Sequence, residues 1–97
     1  MTITKELNDG ILNVALEGRL DTTTAPELEA ELGALEGVTE LNFDFSALEY
    51  ISSAGLRVLL GAQKTMNKNG SMLIKNVSSD IMEVFEITGF IDILTIE

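Results

Sequence analysis

Two serines, Ser52 and Ser53, stand side by side in the run Ile51-Ser52-Ser53-Ala54-Gly55-Leu56-Arg57-Val58-Leu59-Leu60. The apolar residues that follow have helical spacing, so a helix starts near Ser52 or Ser53. The first turn of a helix has N–H groups without internal acceptors and a partial positive charge of about half an electron. A serine there caps the helix while it is free. Once phosphorylated, it would place about −1.5 to −2 charges where those N–H groups partly receive them. Such a site tolerates the modification without unfolding, while its surface changes sharply. Gly55 leaves the backbone beside the hydroxyl uncrowded for an approaching kinase. Local chemistry alone leaves both readings open, a plain cap and a phosphoacceptor.

Other uses of a serine lack their helpers. A serine nucleophile needs an activating base, and the chain has no histidine; only carboxylates, Tyr50 and four lysines are available. With no cysteine either, disulfides and thiolate sites are excluded, in keeping with a reducing compartment. The expectation is a binding module and not an enzyme, with no metal and no cofactor.

The formal net charge of −10 argues against a nucleic-acid partner, because phosphate contacts need clustered Lys and Arg. The charge is unevenly spread. Between Arg19 and Arg57 lie Asp21, Glu27, Glu29, Glu31, Glu36, Glu40, Asp44 and Glu49 with no base among them. From Tyr50 to Ser79 the only charges are Arg57, Lys64, Lys68 and Lys75. Such an asymmetry could steer a basic partner or simply solvate helix faces. No signal peptide opens the sequence and no apolar stretch has the length of a membrane span, so the expected location is the cytoplasm, with no membrane partner.

The elements that must position the serines follow from periodicity and turn chemistry. Ile3 to Leu7 alternates, with Ile3, Lys5 and Leu7 on one side, and Asn8-Asp9-Gly10 is turn chemistry. With Ile11 to Glu17 this predicts an N-terminal antiparallel hairpin. Gly18-Arg19-Leu20-Asp21 leads to Thr22, Thr23 and Thr24, any of which could cap a first helix that has Pro26 in its first turn. Ala25, Leu28, Leu32 and Leu35 form its buried stripe, and Gly37 is the expected stop. Leu41, Phe43 and Phe45 alternate with Asn42 and Asp44, which predicts a strand ending at Phe45, a short loop, and a sheet packed mainly on one side. The second helix runs towards Asn67 with Leu56, Leu59, Leu60 and Met66 inward; Gly61 within it suggests close packing against the sheet. A strand from Met72 to Val77 precedes a third helix capped by Ser78 or Ser79 and ended by Gly89, and Ile93 to Ile96 can form a last short strand. The fold class is α/β, a mixed sheet of order ββαβαβα(β) with right-handed crossovers and helices mainly on one face, in one domain over residues 1–97.

Ile51-Ser52-Ser53-Ala54-Gly55-Leu56, preceded by the strand and by Asp44-Phe45-Ser46, resembles the phosphorylation motif of STAS-domain anti-sigma factor antagonists. Gly18-Arg19-Leu20-Asp21-Thr22-Thr23-Thr24-Ala25 looks like that family's second signature, and Thr88-Gly89-Phe90 and the element order also match, so the resemblance spans essentially the whole chain. The family pattern is Asp-Ser-Ser/Ala-Gly-Leu. Aligned on Gly55-Leu56, it makes Ser53 the phosphoacceptor and puts Ser52 where an aspartate is usual, which leaves Ser52 as an alternative acceptor. The resemblance implies that the unmodified protein binds an anti-sigma factor, a serine kinase, and frees the sigma factor. Phosphorylation of Ser53 ends the complex, and a serine phosphatase resets it. Asp21, Thr22, Ser52, Ser53, Gly55 and Leu56 are the implied partner-binding residues. The alternative within the family is an unphosphorylated STAS subunit with a structural role in a transport or stress-signalling complex.

Overall fold

The computed structural model describes all of Met1–Glu97. Strands β1 (Thr2–Asn8) and β2 (Ile11–Leu20) form the expected hairpin, with Asn8 opposite Ile11 across a two-residue turn. Asp9 and Gly10 take φ of 48° and 83°, the pair of positive values that a tight twisted hairpin requires. β3 (Glu40–Ile51) lies parallel to β2, and β4 (Ser71–Lys75) lies parallel to β3, giving the order β1-β2-β3-β4. Helix α1 (Ala25–Leu32) joins β2 to β3, α2 (Ser53–Asn69) joins β3 to β4, and α3 (Ser79–Thr88) follows β4.

The sheet is covered on one face. Leu12, Val14, Leu16 and Leu20 of β2 and Leu41, Phe43 and Phe45 of β3 are buried with Leu28 of α1, Leu59 and Met66 of α2, and Ile81 and Phe85 of α3. Each such side chain contributes about 1.5–3 kcal/mol on leaving water. The alternating residues Asn13, Ala15 and Glu17 on the other face stay exposed. Lys5 sits on the helix-covered side at the sheet's edge, where its ammonium meets Glu31 of α1 at 2.8 Å.

Several expectations need correction. β3 continues six residues beyond Phe45 because it carries two irregularities: Ala15 to Glu17 of β2 is matched by Asp44 to Ala47, and Gly18 to Arg19 by Leu48 to Tyr50. Each extra residue on β3 is a bulge that shifts the buried set from alternate positions to Phe45, Leu48 and Ile51. α1 stops at Gly33, whose φ is 60°, and not at Gly37; Leu35 is buried from the following turn with a φ of 57°. Ile93 to Ile96 forms no strand; a 3-10 turn (Phe90–Asp92) comes first, and only Ile96 bridges to Ile74. Leu60 is half-buried, while Val58, Ala62 and Gln63 are buried. Gly61 is exposed, and a β-carbon there would meet nothing within 4 Å. Packing against the sheet therefore does not explain it, although a mid-helix glycine costs about 1 kcal/mol relative to alanine.

Candidate functional site

The site forms where β2 and β3 end together. Leu20 pairs with Ile51 in register, and the Ser52 N–H donates to the Leu20 carbonyl at 2.9 Å, so the turn after β2 and the mouth of α2 are joined by the sheet. The two serines then part in role. Ser52 is the N-cap: its backbone is extended, its hydroxyl accepts from the Gly55 N–H at 3.4 Å, and its carbonyl accepts the first helical bond from Leu56 at 2.9 Å. Ser53 is the first residue of the helix and exposed. Its hydroxyl is not used for capping, and the N–H groups of Ser53 and Ala54 have no acceptor within the helix.

Gly55 and Leu56 lie beneath the serines and face the core, with Leu56 only 5% exposed. A β-carbon on Gly55 would stand 2.7 Å from Leu20 Cγ and 2.9 Å from Ile51 Cγ1. Glycine here lets the first turn of α2 rest directly on the ends of β2 and β3.

Asp21 organises the facing turn. One carboxylate oxygen accepts from the Thr23 N–H at 3.0 Å, the Thr23 hydroxyl at 2.8 Å and the Thr24 N–H at 3.2 Å. Thr24 precedes α1 but makes no side-chain cap; its hydroxyl instead donates to the Arg19 carbonyl at 2.8 Å. Thr22 is exposed. Sequence reasoning left Arg19 and Tyr50 without a role. They pair across β2 and β3, with the guanidinium 4.1 Å from the ring centroid and 3.8 Å from the second Asp21 oxygen. A half-exposed arginine on a tyrosine face is a rigid, amphipathic contact surface of the kind that anchors interfaces.

The Thr23 hydroxyl, assisted by the N–H groups of Thr24 and Thr23, holds the Asp21 carboxyl below its ordinary value of 3.8. A folded-state pKa below the unfolded one gives stability that is present above the unfolded pKa and lost as pH falls through the folded one. Asp21→Asn keeps a carbonyl acceptor but cannot titrate. Its stability deficit relative to wild type should therefore shrink as pH falls below about 4 in urea titrations at stepped pH; a deficit constant down to pH 2 would refute this. Asp44, which accepts from Asn76 at 3.0 Å and from the Ser46 N–H at 2.9 Å, is also held low. It is common to both proteins and cancels.

No group of three or more His, Cys, Asp or Glu side chains could hold a metal ion, and no helix is long and apolar enough to cross a membrane. The model of the STAS domain matches residues 2–97. The Bordetella bronchiseptica protein BtrV is 37% identical over 99 aligned positions, covering 99% of this chain and 85% of BtrV. The anti-sigma-B factor antagonist of Staphylococcus aureus is 33% identical over 97 positions, covering 97% of this chain and 90% of its own. Among solved structures, an anti-sigma factor antagonist from Mycobacterium paratuberculosis superposes with a TM-score of 0.84 at 27% identity, over 98% of this chain and 83% of that one. Bacillus SpoIIAA, at 19–20% identity, shares the fold in both its unphosphorylated and phosphorylated forms, with TM-scores of 0.78 and 0.77. With a family match over nearly every residue, this chain belongs to the STAS-domain family of anti-sigma factor antagonists.

Proposed function

We propose that the chain is a phosphorylation-controlled antagonist whose unmodified Ser53 surface binds an anti-sigma factor, itself a serine kinase, and so releases a sigma factor in the cytoplasm. Ser53 is the acceptor, and its phosphorylation ends the complex until a serine phosphatase removes the group. The observation that carries this reading is the division of labour at α2: Ser52 caps the helix, while Ser53 stands exposed at its first position. A phosphate on Ser53 leaves the cap in place and gains the free N–H groups and the positive end of a 17-residue helix. The fold SpoIIAA keeps in both forms supports a modification that alters the surface and not the scaffold.

In this reading Asp21 and Thr22 present the turn opposite Ser53, Ser52 fixes the helix start, and Gly55 and Leu56 hold the helix mouth against the sheet from below. The protein acts as one domain over residues 1–97 and catalyses nothing itself; the phosphoryl group comes from the partner's ATP.

Incubation with the cognate kinase and ATP, followed by peptide mapping in the mass spectrometer, tests the acceptor. Phosphate should appear on Ser53 and disappear in Ser53→Ala, with Ser52→Ala still modified. Phosphate confined to Ser52 or to a threonine would refute the assignment. Copurification with a membrane transporter, and with no kinase, would favour a structural subunit instead.

A further inference from the structure

Gly61 has no part in the packing of the free molecule, yet it occupies the middle of α2. It lines a groove of about 230 Å³ between α1 and α2, walled by Leu32 and Val58 and rimmed by Glu29 and Arg57. Gly33 lies in the same groove, also with nothing near its missing side chain. The φ of 60° at Gly33 accounts for that residue. Regular helix needs no glycine at position 61, so the bare strip there is unexplained by the fold.

Its position offers the explanation. Ser53, Arg57 and Gly61 are successive i, i+4 neighbours on α2. Eight residues of helix put Gly61 about 12 Å from Ser53 along the axis. A protein interface of ordinary size covers about 800 Å² on each partner, equivalent to a disc of about 16 Å radius. A partner centred on Ser53 therefore reaches the groove. Arg57, exposed and in neither of the chain's two ion pairs, is an unpaired cation on the route between them.

We propose that the groove at Gly61 is the second contact of the anti-sigma factor. A backbone segment of that partner lies against the bare strip of α2 and presents an acidic side chain to Arg57. Glycine permits the close backbone approach that any side chain would block. The inference rests on the antagonist function proposed above but not on which serine is modified, because it concerns the unmodified complex.

The probe is the kinase retained from host extract by a Ser53→Ala bait, purified and titrated calorimetrically against the unmodified protein and its variants. Gly61→Ala should raise the thermal midpoint by about 4–8 °C, the shift expected for a domain of this size, and still weaken binding fivefold or more. Gly61→Leu, with a wild-type circular dichroism spectrum, should weaken it about 100-fold. Wild-type affinity in Gly61→Leu overturns the proposal. Weakened Gly61 variants beside a normally binding Ser53→Asp would support the groove and refute the phosphoswitch. A bait that retains no kinase refutes both.

Discussion

Ser53→Asp should bind the anti-sigma factor at least about 100-fold more weakly than wild type, and Ser53→Ala should bind as tightly as wild type and stay bound when ATP is added. A 100-fold change is about 2.7 kcal/mol. That lies within the range of 2–5 kcal/mol for leaving a charge desolvated and unpaired in an interface. Ser53 is exposed in the free protein, so a carboxylate there is hydrated at no expense until a partner covers it. The scaffold should not suffer, because an acid in the first turn of α2 favours the helix dipole and the cap belongs to Ser52. Ser52→Ala gives the converse result: about 1 kcal/mol of stability is lost with the cap, while the acceptor remains. Calorimetric titration gives the affinities and urea unfolding the stabilities. Ser53→Asp binding at wild-type strength would remove the switch from this position.

How much of this could be read in advance depended on whether the signal was local. The Asp9-Gly10 hairpin was legible because two adjacent residues determine a two-residue turn, and both adopt the positive φ it needs. The third helix was legible to within one residue: Ser78 is its cap, accepting from the Ile81 N–H at 3.3 Å, and Gly89 ends it in the left-handed conformation. The start of α2 was legible too, but not which serine would be the cap. Ser52 takes that role because its N–H is held by the Leu20 carbonyl, a partner 32 residues earlier in the chain. The tail of β3 was hidden for a related reason. Its bulges break the alternation that marks a strand, and only pairing with β2 reveals that the chain from Ser46 to Ile51 is still extended. The contact between Arg19 and Tyr50 depends on that same shifted register. At Gly61 sequence reasoning supplied the right puzzle and the wrong answer, since helical spacing cannot tell a glycine pressed on a sheet from one facing solvent.

Gly70→Ala should be the most damaging single methyl addition in the chain, lowering stability by about 3 kcal/mol or more. Gly70 follows α2 and turns the chain into β4. A β-carbon there would fall 1.9 Å from the Thr39 carbonyl oxygen and 2.8 Å from its carbon. These are backbone atoms and cannot rotate away. The same Thr39 carbonyl accepts from the Ser71 N–H at 3.1 Å, while the Thr39 N–H donates to the Gly10 carbonyl at 2.8 Å. Displacing residue 39 therefore disturbs both the entry to β4 and the hairpin turn of β1 and β2. Gly55→Ala makes the contrast. Its new atom would meet Leu20 and Ile51 side chains at 2.7 and 2.9 Å, which are buried but can shift, so a loss of about 1–3 kcal/mol is expected there. Because Gly55 seats the mouth of α2, its variant should also bind the anti-sigma factor more weakly, whereas Gly70→Ala should bind normally in whatever fraction remains folded. Urea midpoints rank the two variants, and a Gly70→Ala as stable as wild type would mean that β4 reaches the sheet by a different path from the one described.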